Sequence, residues 1–218
     1  MPRNKYPEET VQKILDASLT LFLEKGYEQT TILDIVNNLG GLTRGAFYHH
    51  FKSKEEVLEA LSGKLFEENN PFDHVKSRTD LTGLEKVREV MLTNVSPNKN
   101  EDLVALNKVA LPLLANPRFL ALHLKGNEET AKLFEPLIEE GIADGSIGQG
   151  SARLLSELLM VLFNFWMIPA IFPGDAQDFE DKSMMIRKML DSVGFPLMND
   201  AVWEKGDEYA DLLGIDPT

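Results

Sequence analysis

Thr43-Arg44-Gly45-Ala46-Phe47-Tyr48-His49-His50-Phe51-Lys52-Ser53-Lys54-Glu55-Glu56 decides how this 218-residue chain is read. Phe47 and Phe51 stand four residues apart and share one side of a helix. Around them Thr43, Arg44, Gly45 and Ala46 are small, polar or basic. A helix with such a face fits a DNA major groove. Arg44 can donate two hydrogen bonds to a guanine edge. Thr43 can cap the helix and touch a base or a phosphate, and Gly45 and Ala46 let the backbone come close to bases. Tyr48, His50, Lys52 and Lys54 can donate to phosphate oxygens. Taken singly, Gly45 could be a tolerated helix glycine and Tyr48 a half-buried core residue. Their order and spacing carry the reading.

Upstream, Val11, Ile14, Leu15, Leu19 and Phe22 recur at three and four residues, the period of an amphipathic helix over 10–23. Glu8 and Glu9 suit its first turn, and Gly26 its end. Thr31 with Asp34 three residues on is a capping signature for a second helix with Ile32, Ile35, Val36 and Leu39 inside. Gly40-Gly41 ends that helix, and a third runs over 43–50. Ser53 to Glu56 reads as a capping box that opens a fourth helix to about residue 68.

Three short helices with a glycine turn before the third form a helix-turn-helix. The stretch from Gly26-Tyr27 through Thr30-Thr31-Ile32-Leu33-Asp34-Ile35 to Leu42 and Glu56 resembles the DNA-binding domain of the TetR family of transcription regulators over about residues 8–60. The resemblance implies base or groove contacts from Thr43, Arg44, Gly45 and His49, and phosphate contacts from Thr31, Tyr48, His50 and Lys54. It departs from the family at Gly40-Gly41-Leu42, where the turn is one residue longer than the commonest spacing.

Charge fits this division. Through residue 54 the chain has seven Lys and Arg against six Asp and Glu, and the remaining 164 residues have 15 against 29. The net charge of −13 would repel a polyanion, but the N-terminal quarter would not. No cysteine is present, which excludes disulfides, thiolate metal sites and a cysteine nucleophile. The four histidines make no metal-binding spacing. No phosphate loop, nucleotide fingerprint or nucleophile elbow appears, so an enzyme is not expected, nor is a cofactor. The start lacks the apolar stretch of a secretory signal. The longest apolar run, Leu158 to Phe172, is broken by Asn164 and Pro169 and is too short to span a bilayer. The expected setting is the cytoplasm.

Beyond Asn69-Asn70-Pro71, further helices are expected near 82–95, 101–115, 117–142, 151–170 and 178–193, with a weaker one near 200–213. A break is expected at Ser96-Pro97-Asn98. The expected fold is all-α. Residues 1–54 form the helix-turn-helix domain, helix 4 (about 53–68) connects, and 69–218 form a larger helical domain. The resemblance implies that this second domain binds an effector and forms a homodimer through helices 151–170 and 178–193. Met184, Met185, Met189 and Leu190 are candidates for that interface or for ordinary core. The candidate effector-pocket residues are Phe66, Met91, Leu106, Leu113, Phe134, Phe163 and Trp166, with kinks at Pro112 and Pro136 opening the space. An apolar or aromatic small molecule would suit such a lining. The functional expectation is a repressor released from a palindromic operator by that effector. The alternative is a helical interaction or ligand-binding protein that does not bind DNA.

Overall fold

The computed structural model describes residues 7–96 and 101–215, and among them every regular element is helical. Most of the break expected at Ser96-Pro97-Asn98 lies outside the described residues, as do Arg3 and Lys5 of the N-terminal charge count. The N-terminal elements are α1 (Pro7–Lys25), α2 (Ile32–Asn38), α3 (Arg44–His50) and α4 (Lys54–Glu68). A short α5 (Pro71–Lys76) follows, then α6 (Gly83–Val95), α7 (Glu101–Ala110) and the long α8 (Pro117–Asp144). α9 (Ala152–Val161), α10 (Ala176–Ser192), α11 (Asp200–Trp203) and α12 (Gly206–Leu213) complete the chain.

Local chemistry sets most of these limits. Thr31 caps α2 with both halves of a capping box, its hydroxyl accepting from Asp34 N–H while the Asp34 carboxylate accepts from Thr31 N–H. The Asp34 carboxyl lies well below the usual carboxylate range, chiefly through the Thr31 hydroxyl and then through Lys25. Thr82 with Glu85 and Asp175 with Asp178 open α6 and α10 in the same way. The box expected at Ser53 is only half made. Ser53 accepts from Glu56 N–H, but the Glu56 carboxylate accepts from Lys52 N–H instead of returning to Ser53.

Several elements differ from expectation. α5 is an extra helix; Asn70 caps it and Pro71 stands at its first turn, where a missing N–H costs nothing. The helix expected over 101–115 stops at Ala110 and continues as a 3₁₀ segment, Leu111–Ala115, at Pro112. Pro136, by contrast, lies within an unbroken α8. The helix expected over 151–170 ends at Val161 and widens into a π-turn, Leu162–Trp166. Helix 200–213 is two pieces, α11 and α12.

Two apolar clusters organise the packing. One gathers Ile14, Phe22, Ile35, Phe47, Val57 and Leu61 of the first four helices around Leu103, Leu106 and Phe119. The other holds Val87, Phe134, Ile138, Leu159, Ile186 and Leu190 of α6, α8, α9 and α10. α6 crosses α8 so closely that a Cβ on Gly83 would stand 2.1 Å from the Gly141 nitrogen, so only glycine fits there. Leu190, an interface candidate, is fully buried in this second core. It joins the cluster that holds residues of α6, α8 and α9, while Met184, Met185 and Met189 are exposed.

Candidate nucleic-acid interface and effector cavity

α3 is held by its own cap and by its aromatic underside. The Thr43 hydroxyl accepts from Ala46 N–H at 3.2 Å. Phe47 is fully buried and Phe51 nearly so, and both join the cluster with Ile35 and Val36. At 3.6 residues per turn, Gly45, Tyr48 and His49 turn away from Phe47, while Arg44, three residues before it, lies at the edge of the Phe47 side. All four are exposed, as is Thr43, and His50 is half-buried. Tyr48 keeps its ring edge-on to Phe47 with centroids 5.6 Å apart, while almost half its surface is open. The His49 and His50 rings meet at 5.1 Å. Burial and the neighbouring His49 both push the His50 imidazole below its ordinary pKa.

The longer turn before α3 is absorbed by two glycines. Gly40 has φ +54° and Gly41 φ +128°, values that a side chain strongly disfavours. The extra residue is thus accommodated before Thr43, and α3 keeps a fully formed cap.

Lys54 is placed otherwise than a surface cation. Its ammonium donates to the Tyr27 carbonyl at 2.6 Å and lies 4.2 Å from the centre of the Tyr27 ring. Burial lowers the Lys54 pKa. Tyr27 in turn stacks edge-on against Phe119 at the start of α8, 5.2 Å between centroids. Burial also raises the phenol's pKa, and the phenol oxygen has no hydrogen-bond partner among the described residues. This link between α4, the turn after α1 and α8 is not readable from the sequence, although Tyr27 stands in the stretch that carries the resemblance.

A cavity of about 390 Å³ lies between α6, α8, the π-turn and the C-terminal helices. Of the seven candidates, Met91, Phe134 and Phe163 line it. The other four do not. Leu106 and Leu113 belong to the cluster beneath the helix-turn-helix, while Phe66 and Trp166 pack against the second core outside the cavity. The walls that sequence reasoning misses are Asn164 and, from the end of the chain, Phe179, Met198, Trp203 and Tyr209. Here the π-turn leaves two carbonyls for side chains from other helices. Tyr209 Oη donates to the Phe163 carbonyl at 2.5 Å, and His123 Nε2 lies 2.8 Å from the Asn164 carbonyl. Because a carbonyl can only accept, His123 carries its proton on Nε2. Burial lowers the pKa of this imidazole, with the carbonyl opposing in part.

Residues 14–61 match the family of bacterial regulatory proteins, tetR family. The chain is 28% identical over 142 residues to the HTH-type transcriptional repressor KstR2 of Mycolicibacterium smegmatis, covering 64% of this chain and 68% of that one. It is 32% identical over 109 residues to the transposon Tn10 TetC protein of Escherichia coli, with 48% of this chain and 53% of that one covered. Its fold superposes on a TerR/AcrR-family transcriptional regulator from Aquifex aeolicus with a TM-score of 0.51 at 25% identity, covering 84% of this chain and 99% of that one. Residues 14–61 are thus the part of the chain that carries the likeness to TetR-family transcription regulators. The chain's matches to KstR2 and TetC span about half to two thirds of those proteins. The family match ends at residue 61, before the first residue that lines the cavity. No described helix is long and apolar enough to cross a membrane.

Proposed function

We propose that this protein is a transcription repressor that binds a palindromic operator as a homodimer and leaves it when a small molecule fills the cavity. The observation that carries the reading is the division of α3: Phe47 and Phe51 are buried, while Arg44, Gly45, Tyr48 and His49 are exposed. Arg44 and Thr43 read bases, with Gly45 and His49 close to the groove. Thr31, Tyr48, His50 and Lys54 engage phosphates. Lys54 spends one of its three donors on Tyr27, so its phosphate contact would come from a side chain already held in place. A helical protein without DNA binding would have no use for such a face, so that alternative is not favoured.

The dimer reading rests on an apolar stripe. Leu154 and Val161 of α9 are more than half exposed, and Met184, Met185, Met189 and Val193 lie open on and just beyond α10. A second copy covering this stripe would form a four-helix bundle and set the spacing of two α3 helices. Two symmetric helices then demand two related half-sites.

Release requires that the effector bind the DNA-free arrangement more tightly. Two routes join cavity and α3. One is α4, which runs on from the recognition helix. The other passes from the π-turn to His123, along α8 to Phe119, and across to Tyr27 and Lys54. The test is to sequence duplexes that the purified protein selects from a random pool. An enriched palindrome supports the reading; a pool without enrichment at moderate salt rejects it.

A further inference from the structure

The hydroxyls on the cavity wall are already bonded, and of the two amides there, Asn94 makes no hydrogen bond among the described residues. Tyr209 donates to Phe163, Ser183 Oγ to the Phe179 carbonyl at 2.8 Å, and Thr130 Oγ1 to the Gly126 carbonyl at 2.9 Å. Asn164 differs. Its Nδ2 donates to Asn127 Oδ1 at 2.6 Å, and Asn127 Nδ2 donates to the His123 carbonyl at 2.8 Å. That last bond fixes the whole chain of amides. A carbonyl only accepts, so Asn127 must turn its NH₂ to His123 and its oxygen to Asn164. Asn164 must then turn its NH₂ to Asn127, and its own oxygen is left over, on a residue that lines the cavity. Asn164 Oδ1 has no partner among the described residues. Asn164 is half-buried on a largely apolar wall, where an unpaired acceptor gains by receiving a donor.

Charge restricts what that donor can belong to. The charged residues on the cavity wall are Glu180 and Lys205. Lys205 is paired with Glu208, and Glu180, exposed at the rim, has no ion pair among the described residues. Among the described residues of the wall, an anion would meet a carboxylate and no unpaired cation. The adjoining cleft, which shares Met198 with the cavity, has two arginines, but both are engaged. Arg88 donates to the Leu197 and Pro196 carbonyls, and Arg187 lies 4.0 Å from Asp191.

We propose that the cavity takes an uncharged, mainly apolar molecule with one N–H or O–H donor, and that Asn164 Oδ1 receives that donor. The inference rests on the effector reading of this cavity and names the ligand class. It also places the ligand's one polar contact on the π-turn, whose Asn164 carbonyl is bonded to His123 on the route toward Tyr27.

Three molecules of one shape test it, on the full chain without DNA. N-phenyl-1-naphthylamine is neutral with one N–H, and 1-phenoxynaphthalene replaces that N–H by an ether oxygen. 8-anilinonaphthalene-1-sulfonate keeps the N–H and adds an anion. The two amines are titrated by their fluorescence, and the ether by its displacement of the neutral amine. The neutral amine should bind about fivefold more tightly than the ether, the worth of one net hydrogen bond. It should bind at least about tenfold more tightly than the sulfonate, given the unpaired Glu180. Asn164→Leu should erase the preference for amine over ether while retaining the ether. Met91→Trp, which fills the cavity, should weaken all three. Equal binding of amine and ether by the unaltered protein overturns the proposal, as does a sulfonate that binds as tightly as the neutral amine; neither result depends on a variant's folding. A protein that shows this selectivity yet holds its operator equally with and without the amine would refute the effector reading and leave the ligand class standing.

Discussion

α3 and the π-turn are both short, and both carry polar groups on an otherwise apolar element. They dispose of them in opposite ways. α3 turns Arg44, Tyr48 and His49 to water and anchors itself by Phe47 and Phe51. The π-turn directs its polar groups inward, where His123, Tyr209 and Asn127 bond them. The first arrangement makes a surface that can be read by a large, charged partner. The second makes a cavity wall whose shape depends on two other helices, α8 and α12. A surface of the first kind survives changes elsewhere; a wall of the second kind responds to them.

The strongest way to break that contrast is Phe47→Ala. Removing a fully buried phenylalanine costs about 3–5 kcal/mol. The destabilisation falls in the N-terminal cluster, so DNA binding should vanish while N-phenyl-1-naphthylamine still binds the cavity. Failure of both together, measured by gel shift and dye fluorescence on the same preparation, would mean that the two regions do not stand apart.

This contrast also explains what the sequence makes legible. α2 and α3 are legible because their signals are local: Thr31 with Asp34, Thr43 before Arg44, and Phe47 with Phe51 all act within four residues. The cavity is only partly legible. Met91, Phe134 and Phe163 are apolar residues on long helical stretches, where a pocket wall is a natural expectation. Tyr209 reaches back 46 residues to Phe163, and His123 reaches forward 41 to Asn164. No spacing rule encodes such partners. Leu106 and Leu113 have the same apolar character as true wall residues, yet the first cluster claims them. Leu190 follows the buried Ser183 and Ile186 at helical spacing and faces the core with them, one residue on from the exposed Met189. Lys54 reads as a free cation because nothing nearby in sequence reveals Tyr27 beneath it.

Arg44→Ala comes next in size. Removing its bonds to one base should cost on the order of 1–3 kcal/mol and relax the preference at one position per half-site. Selected sites with unchanged preferences at every position would remove Arg44 from base reading.

Lys54→Ala and Tyr48→Phe sharpen the surface side of the contrast. Both should weaken binding to all sequences alike. Removing one cation from a phosphate flattens the slope of log affinity on log salt by about one unit, so about two for a symmetric dimer. Lys54→Ala should show that flattening, and Tyr48→Phe, which removes a neutral donor, should not. A steeply salt-dependent Lys54→Ala protein would mean that the ammonium serves Tyr27 alone.

The smallest effect concerns the interior. Burial holds the His123 imidazole neutral below the pH at which an exposed histidine takes up its proton. In the unfolded chain His123 protonates near its ordinary pKa of about 6.5. The unfolded state therefore gains a proton first as pH falls, and stability drops from there until the folded imidazole also protonates. Above that window the contribution is complete. His50 is shifted in the same direction, so the wild-type profile contains both groups. His123→Gln separates them, because a glutamine amide can still donate to the Asn164 carbonyl but does not titrate. On acidification from about pH 7.5 to about pH 5.5, the melting temperature of the wild type should fall further than that of His123→Gln. Parallel profiles would show that the buried imidazole is not coupled to folding, and that the π-turn is held without regard to its charge.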